Sequence, residues 1–481
     1  MAAGDLTGNG RPDLYFTANE EANALYLNEG DFEFRDVTEA AGVEGTGDWT
    51  TGVIMADVNG DGRLDLYVSV VDGVEGLEGT NQLYINQGTG DDGVPTFREA
   101  AEEYGLDAQG YGTQAAFFDY DGDGDLDVYL LNHSVHGKQT YSSPEVREKR
   151  HPRAGDQLLE NRNGTFVDVS EEAGIYGGPI GYGPGVSVTD VNTDGCPDLY
   201  AANDFHEDDY LNVNNCDGTF SERLRSSVGH TSLSSMGTDA ADINNDGRPD
   251  LVVLDMLPDD EEARKQTATP EPRDVFEIKQ RYGYFPQYAR NTLQLNQGRG
   301  RFSEVGALLG IEATDWSWAP LFADFNLDGH TDLFVTNGIP HRPNDLDYVE
   351  YASGRGRRGE PDEPLSEERL ADLRDRMMGG EAPNYAFRNV PDTLGFREVS
   401  ASWGLDRKGV SNGAAYADLD NDGDLDLVVN NLNAAASIYE NRAADQTNHG
   451  FLQVRLEGDS EVRPRSWTGD PTKSEVGTQD A

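Results

Sequence analysis

An acidic nine-residue loop recurs seven times in this chain, and its spacing restricts the fold more than any other feature. The fullest copy is Asp119-Tyr-Asp121-Gly-Asp123-Gly-Asp125-Leu-Asp127, set between the apolar runs 115–118 and 128–131. Oxygen-bearing side chains at alternate positions, with glycine at the sixth, are what a hard cation such as calcium asks of a loop. The other copies carry the same pattern. They place Asp5, Thr7, Asn9 and Asp13; Asp57, Asn59, Asp61 and Asp65; and Asp190, Asn192, Asp194 and Asp198 at positions one, three, five and nine. Asp242, Asn244, Asp246 and Asp250, then Asp324, Asn326, Asp328 and Asp332, and finally Asp418, Asp420, Asp422 and Asp426 complete the set.

The pattern invites an EF-hand reading, which fails within the sequence. An EF-hand needs a bidentate acid at position twelve and a following helix. Position twelve here is Phe16, Val68, Leu130, Ala201, Val253, Val335 or Val429, each inside a β-type run. The loop therefore closes a β-hairpin, with side chains at positions one, three, five and nine and the carbonyl at seven as expected ligands. Position six needs glycine because a Cβ opposes the left-handed turn. Loop one, with Thr7 and Asn9, should bind most weakly. Loops three and seven, with five acids each, should bind best.

A second element follows most loops: Asn-x-Leu-Tyr-x-Asn, a turn and a Phe, as in Asn23 to Phe34 and Asn81 to Phe97. Each unit thus reads as four short strands. Seven such units argue for an all-β, seven-bladed β-propeller, with a linear solenoid as the competing arrangement. The first blade reads as incomplete, because nothing before Asp5 reads as a strand. Long insertions fall at 132–156, 255–290 and 338–383, and the last holds an apolar series from Leu365 to Met377 that reads as a short helix. Residues 448–458 read as a strand and 459–481 as a disordered tail.

The net charge is −52, from 89 acids against 37 basic residues. The loops hold too few acids to account for it, so the excess belongs to the surface. Such a surface fits solubility in high salt, or an acidic secreted protein, and argues against nucleic acid as a partner. No apolar run approaches the length of a membrane span, and Met1-Ala-Ala-Gly-Asp5 does not read as a signal peptide. Cys196 and Cys216 flank neighbouring strands of one hairpin, which leaves a disulfide open.

These units resemble the FG-GAP/VCBS-type repeats of integrin α-subunit propellers and of cartilage acidic protein-like bacterial proteins. The resemblance covers residues 1 to about 445. Arg290–Gly298 and Asp315–Pro320 resemble the bacterial members that carry an ASPIC/UnbV module, and residues 446–458 look like the start of that module, truncated. The resemblance implies export to the periplasm, cell surface or medium. It also implies that the metal loops occupy one face and the insertions the other. On that second face fall Trp49, Tyr111, His133, Tyr182, His206, Trp316, Trp318, His341 and Trp403, which either contact a protein or glycan or simply fill the blade ends.

No nucleophile elbow, HExxH, P-loop or dinucleotide fingerprint is present. The leading expectation is a non-enzymatic, calcium-stabilised module for adhesion or recognition. The alternatives are a polysaccharide lyase or glycosidase using groups such as Lys138, Arg150, His341 and Asp345, and a structural fragment of a larger surface protein.

Overall fold

The computed structural model describes residues 1–47, 49–135, 143–267, 271–354, 366–390 and 395–447. The tail expected to be disordered, 459–481, and the strand expected at 448–458 lie outside these residues.

Six four-stranded antiparallel meanders and one three-stranded meander make seven blades. The second blade is typical: Thr50–Ala56, Asp65–Val70, Gln82–Thr89 and Pro95–Glu99, paired in sequence order. Its second strand is buried at every residue, whereas its fourth is mostly exposed. Each first strand packs against the first strands of its two neighbours. Ala2–Gly4 of the first blade packs against Ser411–Ala417 of the seventh. The strands therefore form a closed ring, which excludes the solenoid. Glycines let these inner strands approach. A Cβ on Gly52 would lie 2.5 Å from Thr113 O, and one on Gly237 would lie 2.2 Å from Trp318 O.

The incomplete blade is not the first. Ala2–Gly4 pairs with the strand Asp13–Phe16, so the first blade has four strands. The seventh has three among the described residues: Ser411–Ala417, Asp426–Asn431 and Ser437–Tyr439. A three-residue strand is too short to show periodicity, which is why the sequence did not reveal it.

The insertions carry helices, as expected: Glu261–Gln266 and Arg273–Tyr282 in the fifth blade, and Leu346–Gly354 and Glu367–Arg376 in the sixth. A one-turn helix also follows the fourth strand in six blades, as at Thr38–Ala41, Ala101–Tyr104 and Ser170–Ala173. An acid two residues ahead accepts the first helical N–H, as in Thr38 N to Asp36 and Ser170 N to Asp168. A left-handed glycine closes several of these turns, for example Gly42 at φ 73°. The recurrent Ala-Gly ending of each unit is this cap.

Seven hydrophobic clusters sit between blades, one per junction. A polar bond accompanies six of them. The asparagine ending each third strand donates its Nδ2–H to the position-two carbonyl of the preceding blade's acidic loop. Asn86 reaches Leu6 O at 2.9 Å, Asn296 reaches Val191 O at 2.8 Å, and Asn28 closes the ring at Leu419 O, also 2.8 Å. Burying one Leu or Val side chain stabilises by ~1.5–3 kcal/mol, while one such hydrogen bond contributes ~1 kcal/mol. The apolar clusters therefore supply most of the cohesion, and the asparagines set the register between blades.

The exception is Asn161, whose Nδ2 bonds, among the described residues, only within its own blade, to Leu126 O. Asn296→Ala should thus cost ~1 kcal/mol more than Asn161→Ala in urea denaturation. Equal losses would show that the bond across the junction is energetically silent.

Candidate metal centres

The seven loops share one backbone cradle. In each, the N–H of the position-six glycine donates to the position-one aspartate, at 2.7 to 3.1 Å. The position-seven N–H donates to the side chain at position five, as in Asp125 N to Asp123 Oδ1 at 3.1 Å. The glycines at position six have φ between 81° and 96°, as their spacing required. Position four is left-handed too, including non-glycine residues Thr193, Asn245, Leu327 and Asn421. Residue type alone does not mark that second left-handed position, because glycine fills it in only three loops.

Position nine has a double task. Its aspartate accepts the position-two N–H on one oxygen and the third-strand asparagine N–H on the other, as Asp127 does from Tyr120 and Asn161. The second of these bonds occurs in all seven blades. Burial pushes these carboxyls up, Asp13, Asp65 and Asp250 to about 6 and Asp127, Asp198, Asp332 and Asp426 to about 7. Each oxygen retains a second acceptor site beyond the amide it already holds.

Loops three and seven concentrate acid most. The carboxylate oxygens of Asp119, Asp121 and Asp127 lie within 4.8 Å of one another, and so do those of Asp418, Asp420 and Asp426. Burial first, and then the neighbouring Asp123 or Asp422, raises Asp121 and Asp420. The set of hard oxygens around one point fits a divalent cation such as calcium.

Position seven distinguishes the loops. Arg63 and Arg248 each pair with their loop's position-five aspartate and donate Nε–H to a third-strand carbonyl, Asn86 O and Asn296 O. Arg388 of the third strand pairs with Asp328 in loop six at 2.8 Å. In loop four the same place is taken covalently, because Cys196 is disulfide-bonded to Cys216. Loops three and seven have Asp125 and Asp424 there instead. An arginine on position five competes with a cation for it, which again favours loops three and seven.

Family comparison agrees with this geometry. The model for FG-GAP-like repeats matches residues 5–68, 70–130, 190–253 and 274–335. The chain belongs to the FG-GAP-like repeat family. Loop seven falls outside the matched residues yet has the same cradle. Cartilage acidic protein 1 of Xenopus tropicalis is 28% identical over 200 residues, 41% of this chain and 28% of that protein. The Homo sapiens protein of the same name is 27% identical over 200 residues, 41% of this chain and 27% of its own length. The match thus spans less than a third of either relative. Among solved structures, an Agrocybe aegerita lectin described as recognising non-reducing terminal N-acetylglucosamine aligns at TM-score 0.38 and 16% identity, over 71% of this chain and 74% of the lectin. The V. cholerae biofilm matrix protein Bap1 aligns at 0.29 and 12%, over 91% and 57%. Both are too distant to bear on function.

Opposite the loops of this FG-GAP-like propeller, the sequence-predicted contact residues divide. Tyr182 is fully buried and His206 nearly so. Trp49, Tyr111 and Tyr182 bridge to Asn19, Val71 and His133 of the preceding blades. Trp316 and Trp318 both bond Gly338, by carbonyl and by indole N–H. His341 is half-buried in a two-stranded pairing of the sixth insertion. Trp403 lies elsewhere: it lines a hollow with Phe325 and Asn326 of the sixth metal loop, packed on the core between blades six and seven.

The groups proposed for catalysis do not assemble. Arg150 donates to the carbonyls of Ile175 and Asp156, whereas Asp345, three blades away, accepts the Tyr348 N–H. Lys138 lies outside the described residues. A charged pair that the sequence did not reveal joins the third blade's insertion to the fourth blade. Arg147 lies 2.8 Å from Glu207 and donates to Asp208 at 3.1 Å. Glu207 is fully enclosed, and burial raises it to about 8 even beside the guanidinium.

Asp156 and Asp209 replace the asparagine found at the start of other third strands. Asn81 accepts the Val70 N–H and donates to the Tyr67 hydroxyl. Asp209 accepts both the Asn203 N–H and the Tyr200 hydroxyl, and burial pushes it up to about 7. A folded-state value above the unfolded one means that its stabilisation is complete below about pH 4 and is lost as pH rises through about 7. Asp209→Asn should therefore raise the melting temperature at pH 8 and bring little gain at pH 5. The same change at both pH values would contradict this.

Proposed function

We propose that this chain is a calcium-stabilised, non-enzymatic recognition propeller that works outside the cytoplasm. The observation that carries the reading is the convergence of three carboxylates within 4.8 Å in loops three and seven, on a backbone cradle shared by all seven loops. Many hard oxygens in an irregular cage suit calcium better than magnesium, which holds its waters and demands a near-regular octahedron. The Cys196–Cys216 disulfide supports an oxidising compartment. No helix among the described residues is long and apolar enough to cross a membrane.

A protein or glycan partner fits the insertion face. The insertions expose apolar side chains: Val275, Ile278 and Tyr282 share one face of the helix Arg273–Tyr282, and Leu346 and Met378 are exposed in the sixth insertion. Clustered exposed apolar groups on insertions beside a rigid scaffold mark interaction surfaces more often than scattered ones do.

Isothermal titration with calcium and, separately, magnesium tests the metal reading. Calcium should bind more tightly, and Asp121→Ala and Asp420→Ala should each remove one tight site. Equal affinities for the two ions, or an unchanged stoichiometry in both variants, would overturn it. For the face, glycan and extracellular-protein arrays should lose their signals when Ile278 and Tyr282 are both changed to Ser. Signals that persist would place the partner elsewhere.

A further inference from the structure

The junction between blades two and three departs from the pattern of the other six. Elsewhere the third-strand asparagine bonds the position-two carbonyl of the preceding loop. Here Asn161 reaches only Leu126 O, at 3.3 Å, and Val58 O takes no such bond among the described residues. The cause is a shorter hairpin. Asn161 is five residues before Phe166, where Asn214 and Asn296 are six before Phe220 and Phe302. The Asn161 side-chain oxygen Oδ1 consequently accepts from Gly164 N, three residues on, whereas Asn296 Oδ1 accepts from Gly298 N, two residues on.

A cleft of about 780 Å³ opens at this place, against about 60 Å³ at the corresponding place between blades five and six. There, Asn245 donates across the junction to Gly329 O at 3.0 Å, and Leu309 and His330 line what space remains. The same three places around the larger cleft hold Gly60, Tyr104 and Asp125. Glycine sends nothing across, Tyr104 brings an aromatic ring whose hydroxyl has no partner among the described residues, and Asp125 Oδ1 meets no hydrogen-bond donor.

We propose that this cleft binds a neutral saccharide. Its unstapled pair sets the chemistry: Val58 O is open to accept a hydrogen bond, while the second Nδ2–H of Asn161, beside the one on Leu126 O, has no acceptor among the described residues. A hydroxyl does both at once, whereas an ammonium only donates and a carboxylate only accepts. Asp57 and Asp125 on the walls disfavour acidic sugars. Tyr104 offers a ring face to the C–H side of a pyranose, and the volume falls in the range of small-ligand pockets, ~300–1,000 Å³. This site lies among the metal loops and is separate from the insertion face.

Saturation-transfer NMR and calorimetric titration of the full chain, in calcium buffer, with galactose, glucose, mannose and fucose, test it. At least one of these sugars should bind. Gly60→Asn installs the side chain of loop five at a left-handed position (φ +70°) that Asn245 already tolerates. It and Tyr104→Ala should each weaken binding ~10-fold or more; Gly60→Asn should do so without lowering the melting temperature, whereas Tyr104→Ala should lower it, because the ring packs on the apolar cluster between blades two and three. Should either variant fold poorly, Asn163→Gly at the exposed rim keeps its left-handed φ and should weaken binding as well. No binding by any of the four sugars, or binding undiminished in the well-folded variants, would overturn the proposal and leave the cleft to water.

Discussion

A carboxylate at the base of each acidic loop joins three strands that lie apart in the chain. It accepts an amide from the turn between strands one and two, and another from the end of strand three, as Asp250 does from Ile243 and Asn296. That same asparagine then reaches the preceding blade, as Asn296 does to Val191. One buried aspartate therefore ties the metal loop, the blade and the neighbouring blade together. Removing charge from water is costly unless hydrogen bonds replace it, and here two amides do so in most blades. A cation beside the same oxygens would act on hairpin, blade and junction at once.

The blades handle crowded acid in different ways. Loops two and five place an arginine over position five, loop six borrows Arg388, and loop four has a disulfide in that place. Loops three and seven instead add a further aspartate, Asp125 or Asp424, which burial raises to about 6. They lack any such protein cation among the described residues, so their charge is the least compensated from within. Asymmetry appears at the junctions too. Among the described residues the seventh-to-first cluster has Leu14, Leu419 and Val428 as its fully buried members, fewer than any other junction, with partly buried side chains such as Phe16 and Tyr26 packed on them.

Much of this was legible in the sequence because the code is local and repeated. The seven loops, the four-stranded units and the apolar twelfth positions fixed the all-β class and blade number, and position-six glycines adopt the expected conformation. What stayed hidden was either too short or too distant. The strand Ala2–Gly4 has three residues, and Asn28 finds Leu419 across 391 positions. The one-turn helices whose first N–H groups Asp36 and Glu99 accept have four residues each, too few to show a period of their own. Tyr182 looked like a contact residue because aromatic character alone does not reveal burial, and it is fully enclosed. The cleft at Val58 had a visible signal, the hairpin shortened by one residue at Asn161, but its meaning depends on the junction it fails to close.

Paired thermal melts of the full chain, in millimolar calcium and in excess chelator, test most directly whether cations hold this ring. At a concentration 100-fold above its dissociation constant, one site adds ~2.7 kcal/mol. If loops three and seven are filled, the melting temperature in calcium should exceed that in chelator by several degrees, and Asp121→Ala with Asp420→Ala should erase most of the difference. Superimposable melts in calcium and chelator would contradict the account.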